Sequence, residues 1–380
     1  MSVHIIGPDD PALAVLQQAI DDHPRLDAHL EVIPWSAYRA RLMEALQARG
    51  TPAQALFVPG HIWLPELAEA GYLAEISRLH RHLPASLLSA YDPDDIVPEV
   101  AEECRYQDRQ YQLPFFSDGH LLFYREDLIT FDDTDGVPIV PAGELARLAQ
   151  KLHHPPRHYG LALKADASEI LTDLLPYLWE FGGRLLDEEG QPDFAHPANI
   201  EALEYYCSLK QWCPADTEHY GNEAIAHTLR KGEAALVANW GGQTAPLFLD
   251  PDNPWKDRYR TALFPHPWNA TWGIAIAANQ PESDQITALE TLMRLLAPSY
   301  DREITRVAGS PVRNSSYDPA SLERYPWLAA QREMLRRARP LPSDPDLGQC
   351  LGPLYEAVHR AFSGEVSARE ALEAVQKRCR

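Results

Sequence analysis

A two-lobed α/β protein, with at least one lobe built on a parallel, doubly wound sheet, is what this sequence predicts, and three observations predict it. Apolar β-branched runs alternate with runs of helical periodicity from the first residues onward. The length of 380 residues exceeds what one simple core usually organises. A hydrophobic content of 45% with 9% aromatics is that of a chain able to bury a large core.

The elements follow in order. "VHIIG" reads as a strand ending at a Gly-Pro turn, and "PALAVLQQAIDDHP" as a helix. "LEVIPW" is a second strand, and "SAYRARLMEALQARG" a helix with Ser36 as N-cap and Gly50 as stop. "QALFVPG" is a third strand, and "WLPELAEAG" another helix. In open α/β sheets ligands sit at the carboxyl ends of the strands. Those ends carry Asp9 and Asp10, then Trp35, then Gly60, His61 and Trp63.

Further along, "DGHLLFYRED" reads as a strand opening a second unit. Helices are expected in "SEILTDLLPYLWEFGG", "IEALEYYCSLKQW" and "EAIAHTLRKG", then a strand in "EAALVANWGG" whose end carries Asn239 and Trp240. "TWGIAIAAN" is a strand, "DQITALETLMRLLA" an amphipathic helix, and a helical tail runs from about Leu347. Thirty-three prolines mark rigid loops rather than disordered linkers.

The net charge of -21 argues against nucleic acid and anionic membranes, which require basic patches. No apolar run reaches the length of a membrane span, and "MSVHIIGPDDPALAVL" lacks the layout of a secretion signal. A cytoplasmic location is therefore expected if Met1 is native, and an extracytoplasmic one if a signal has been removed. Five cysteines, Cys104, Cys207, Cys213, Cys350 and Cys379, have no zinc spacing and are expected to be small buried thiols. A Cys207–Cys213 bridge is the alternative.

Phosphate-loop, dinucleotide, zinc-protease and nucleophile-elbow motifs are all absent, and no pair of carboxylates stands out as a glycosidase pair. The "HHPPRH" stretch, His153 to His158, reads as a solvated loop rather than a metal site. More telling is where the aromatics fall. Trp63, Phe115, Phe116, Trp240 and Trp272 lie at strand ends or in the loops beside them. Flat rings stack on the C–H face of a sugar while polar groups take its hydroxyls. In "LPFFSDGHLLFYREDL", two aromatics, a hydroxyl and a carboxylate immediately precede an apolar strand.

Read in order, "YQLPFFSDGHLLFYREDLI", "LPYLWEFGGRLLDEEGQPDFAHPANIEALEYYCSL", "LRKGEAALVANWGG", "WGIAIAANQPESDQITALETLMRLL" with "GSPVRNSSY", and "FSGEVSAREALEAVQKR" resemble the extracellular, periplasmic-type solute-binding proteins of ABC sugar importers, the maltose-binding-protein-like group. The resemblance extends over nearly the whole chain. It implies the two-lobed periplasmic-binding-protein type II clamshell, with hinge crossings between an α/β lobe of residues 1–114 plus 274–309 and another of residues 115–273 plus 310–380. It implies no enzymatic activity and no cofactor. The partners it implies are a mono- to oligosaccharide and the permease subunits of an ABC importer, with the protein itself a monomer.

Carried over residue by residue, the resemblance places Phe116, Ser117 and Asp118 at the first crossing, with Asp118 as an acidic ligand contact. Asp9 would accept a hydroxyl from the first strand-to-helix loop, and His61 and Trp63 would stand at the mouth of the site. Trp240 would be the aromatic platform of the second lobe, Trp272 would lie near the second crossing, and the Arg313 guanidinium would fork onto the ligand.

Four other functions compete. A cytosolic sugar sensor would use the same clamshell, a binder of polyamines would suit the negative charge, and a binder of glycerol phosphates would need more basic residues than Arg313 alone. A glycosidase would show itself by an effect of Asp118 replacement on turnover.

Overall fold

The computed structural model describes residues 2–48, 53–60, 62–131 and 136–379; Met1, Gly50 and His61, named above, lie outside them. The chain divides into two compact units, residues 1–118 with 270–325 and residues 119–269 with 326–380. The changeovers lie after residues 118, 269 and 325, where the resemblance implied 114, 273 and 309.

In the first unit, strands β1 (Val3–Pro8), β2 (Ala28–Ile33) and β3 (Ala53–Pro59) are parallel, with β1 in the middle. Their burial matches their places: β3 is buried throughout, as a strand covered on both faces must be, whereas the edge strand β2 buries only Leu30. The crossovers are helices Leu13–Asp22 and Trp35–Gln47. The second of these starts at Trp35, one residue before the expected Ser36 cap, because the Asp9 carboxylate takes the Trp35 backbone N–H at 2.7 Å. Tyr38 on the same helix is buried against the sheet, its hydroxyl donating to the Phe57 carbonyl at 2.5 Å.

A short hairpin, β4 (Arg105–Tyr106) and β5 (Arg109–Gln110), turns through Gln107 and Asp108, both with positive φ. The long strand β6 (Gln112–Arg125) follows and carries the chain from the first unit into the second.

The second unit pairs the later part of β6 with β8 (Ala234–Trp240) and β9 (Tyr259–Ala262), both antiparallel, while β7 (Tyr159–Ala162) runs parallel to β8. The register sets His120 opposite Trp240. Helix Ile170–Glu180, buried along almost its whole length, packs against helices Pro197–Leu209 and Leu347–Ser363. Strand β10 (Asn269–Ile276) returns the chain to the first unit and pairs antiparallel with β3, and helix Glu282–Leu295 packs on β3 and β1.

Two expectations about side chains are corrected. The cysteines that pair are Cys350 and Cys379, joining the last two helices, Leu347–Ser363 and Ala368–Cys379, while Cys104, Cys207 and Cys213 are free thiols. Arg313 is not a ligand fork. It is 1% exposed in the interior of the first unit, donates to the carbonyls of Asp92 (2.9 Å) and Leu296 (3.0 Å), and lies 4.7 Å over the Tyr91 ring. The guanidinium is used up on loop carbonyls that the local backbone leaves without partners.

Candidate functional site

In the first unit the strand ends bring four rings together. Trp35 and Trp63 lie parallel, 8° apart in plane with centroids at 5.4 Å, and the Arg39 guanidinium sits 4.7 Å over Trp63. Trp272 on β10 meets Trp35 edge to face at 5.7 Å and stacks on Phe116 at 5.9 Å. Phe116 is 3% exposed, so it supports this surface from below rather than forming it. Charges at the rim are paired: both Glu66 oxygens take Arg39 at 2.7 Å.

Of the expected residues in this unit, Asp9, Trp63 and Trp272 thus meet Trp35, a ring noted at a strand end but not among the expected ligand contacts, while Phe116 stacks on Trp272. Asp9, which is exposed, reaches Trp35 by taking the helix N–H on one carboxylate oxygen. Ser117 is fully buried, with its hydroxyl 3.0 Å from that of Thr271 and its backbone bridged to Ser310. That burial corrects its expected role as a ligand contact, since the hydroxyl binds within the fold. Asp118, half-buried, closes the first unit's part of β6. Gly119 follows because a Cβ there would stand 2.4 Å from the Trp268 carbonyl oxygen and 2.5 Å from the Met334 sulfur.

The second unit has its own constellation, centred on Trp240 at the carboxyl end of β8. The Trp240 indole N–H donates to Glu169 at 3.0 Å, the Lys164 ammonium lies 4.3 Å from the ring centroid, and His120 and Trp268 pack against the ring at 5.0 and 4.9 Å. Lys164 is wholly buried and shared between Glu169 (3.4 Å) and Asn222 (3.3 Å). His120, also wholly buried, receives the Trp268 indole N–H on Nδ1 at 2.6 Å, and its Nε2 lies 2.7 Å from Asp173. Burial holds the His120 pKa below the ordinary imidazole value, against the opposing pull of Asp173.

Only Trp240 of this second group was expected. Lys164 carried one readable sign, a lone charge closing the apolar run "YGLALK"; His120 carried none, because a histidine inside a strand reads as a core residue.

Each aromatic surface is ringed by hydrogen-bonded, charge-paired groups, a chemistry suited to neutral hydroxylated molecules. Among the described residues no group of three or more His, Cys, Asp or Glu is arranged to hold a metal ion.

Comparison with known proteins shows the family. Residues 8–293 match the model of the bacterial extracellular solute-binding protein family. A mannitol-binding protein of Pseudomonas aeruginosa is 25% identical, over 94% of this chain and 86% of its own length. Among solved structures, an ABC transporter solute-binding protein of Agrobacterium radiobacter K84 in complex with ribitol superposes with a TM-score of 0.84 at 21% identity, covering 100% of this chain and 98% of that one. Maltose-bound MalE3 of T. maritima does so with a TM-score of 0.82 at 21% identity, over 100% and 98% of the two chains. At that identity the two structures establish the fold.

Proposed function

Because the chain belongs to the bacterial extracellular solute-binding proteins, we propose that it captures a neutral sugar or sugar alcohol and hands it to the permease of an ABC importer, acting outside the cytoplasm as a monomer without catalysis. The observation that carries this reading is the pair of aromatic surfaces, Trp35–Trp63–Trp272 in the first unit and Trp240, backed by the buried Trp268, in the second, each bordered by ion pairs already satisfied within the protein. Rings take up C–H surface, and the surrounding carboxylates, each with several acceptor sites, have lone pairs left for hydroxyls.

Charge decides against the competing ligand classes. A polyamine needs carboxylates free to meet ammonium groups, yet Glu66 is engaged by Arg39, and Glu169 by Lys164 and the Trp240 N–H. A phosphate ester needs an uncommitted cation, and Lys164 and Arg39 are both committed. The relatives named above fit the neutral class, being named for or complexed with mannitol, ribitol and maltose.

A thermal-shift panel of sugars, alditols, polyamines and glycerol phosphates tests the reading. A true ligand at about 100 times its Kd adds roughly 2.7 kcal/mol of stability. The expected result is a shift with one sugar or alditol that W240A abolishes. A shift with polyamines or glycerol phosphates alone would refute it.

A further inference from the structure

The relatives accept two shapes of polyhydroxylated ligand, the linear alditol and the pyranose ring, and residues of this chain distinguish them. Trp35 is the one exposed aromatic residue among those described, with half its surface open, although indole burial is among the largest apolar gains a fold can make. Its exposure is not looseness. The ring is held parallel to Trp63, edge-on to Trp272 and close to Tyr38 at 6.2 Å, and its backbone N–H is clamped by Asp9.

The placement adds to this. Trp35 stands just beyond the carboxyl end of β2, where open α/β sheets receive ligands, and beside Trp63 and Trp272. Trp35 and Trp272 meet at 68°, so the two indoles form a corner rather than a flat strip.

Resting on the neutral-solute reading above, we propose that Trp35 is the stacking platform of the first unit and that it selects a pyranose ring over an open-chain alditol. The reason is the shape of the apolar surface each ligand offers. A chair pyranose gathers several axial C–H groups on one face, enough to cover an indole, and turns its rim toward a second wall. An alditol in its extended zigzag distributes hydroxyls to both sides, so no face of comparable size is free of them. A rigid indole corner rewards the first shape and forces desolvation of hydroxyls on the second. Trp63, engaged by Trp35, Tyr38 and Arg39, serves as backing.

Titration calorimetry of the full chain with glucose, maltose, trehalose, mannitol and ribitol, for wild type, W35A and W35F, tests this. The wild type should bind at least one ring sugar more tightly than either alditol. W35A should weaken that sugar on the order of 10- to 100-fold through lost stacking and apolar contact, change alditol affinity by less than about threefold, and leave the melting temperature nearly unchanged because the ring is exposed. W35F should recover most of the loss.

Ring-sugar affinity untouched by W35A, or equal losses for sugar and alditol, would overturn the proposal while leaving the solute-binding reading intact. Tighter binding of an alditol by the wild type would also overturn it. Failure of every sugar and alditol to bind the wild type would overturn both readings together.

Discussion

The indole N–H of Trp268 donates to Nδ1 of His120 at 2.6 Å. An indole N–H can only donate, so Nδ1 must accept and the single imidazole proton resides on Nε2, facing Asp173 at 2.7 Å. Asp173 in turn takes the Lys164 backbone N–H and the Tyr206 hydroxyl, so the chain of bonds ends in the frame beneath Trp240. A second proton on His120 would set two donors against each other at Nδ1.

Acid should therefore loosen the fold. The pKa of His120 is lowered, chiefly by burial, and those of His4, His80 and His158 are lowered for the same first cause. The unfolded chain then takes up protons first as pH drops below about 6.5, so stability is full above that value and declines below it until the folded-state pKa is passed. Each fully buried histidine contributes up to about 1.4 kcal/mol per pH unit in that window. Melting temperatures recorded between pH 7.5 and 5 should fall, and H120N, which keeps an acceptor for Trp268, should fall less steeply. A wild-type melting point that rises on acidification would contradict the assignment.

Arg313 is expected to matter for stability and not for affinity. R313M removes two charge-assisted hydrogen bonds, worth about 1.5–3 kcal/mol each, from a buried site. Urea unfolding should show a loss of that order, while the folded fraction binds its ligand as the wild type does. A selective loss of binding would restore the ligand role inferred from resemblance.

Gly160 on β7 has no room for a methyl group, since a Cβ would lie 2.0 Å from the Ala149 carbonyl oxygen of helix Ala142–Lys151. Backbone cannot move aside as a side chain can. G160A should destabilise by about 1–3 kcal/mol or more, whereas G143A, where nothing stands near the added Cβ, should be close to neutral. Circular-dichroism melts of the two variants make the comparison.

Reduction should weaken the second unit. The Cys350–Cys379 bridge closes a loop with a sequence separation of 29, which in the chain-entropy picture stabilises by about 2–4 kcal/mol. Melting with and without reductant should differ accordingly, and C350S should abolish the difference. The three free thiols, two of them buried, predict no further reductant effect.

Much of the fold was legible because burial imposes period. The runs that became β1 and β3 are apolar on both faces since parallel central strands are covered twice, and helix Glu282–Leu295 announces its amphipathic stripe. The site was legible in part. Aromatics at strand ends flagged Trp63 and Trp240 as candidates, because a ring placed where a strand leaves the sheet has no core position to fill, whereas Trp272 lies inside β10, paired with Pro59 at the end of β3. Arg313 misled for the opposite reason. A conspicuous arginine in a loop says nothing of which carbonyls its long side chain will meet, and here those belong to Asp92 and Leu296.

By itself, then, the sequence determined the order of strands and helices, the family pattern and the strand ends at which aromatic residues gather, because these depend on periodicity and on local breaks in it. Only the tertiary structure decided that Cys350 meets Cys379, that Ser117 and Arg313 turn inward, and that Trp35, Lys164 and His120 stand beside the rings expected to matter. Those relationships join residues far apart in the chain, and packing geometry alone selects which distant side chains become neighbours.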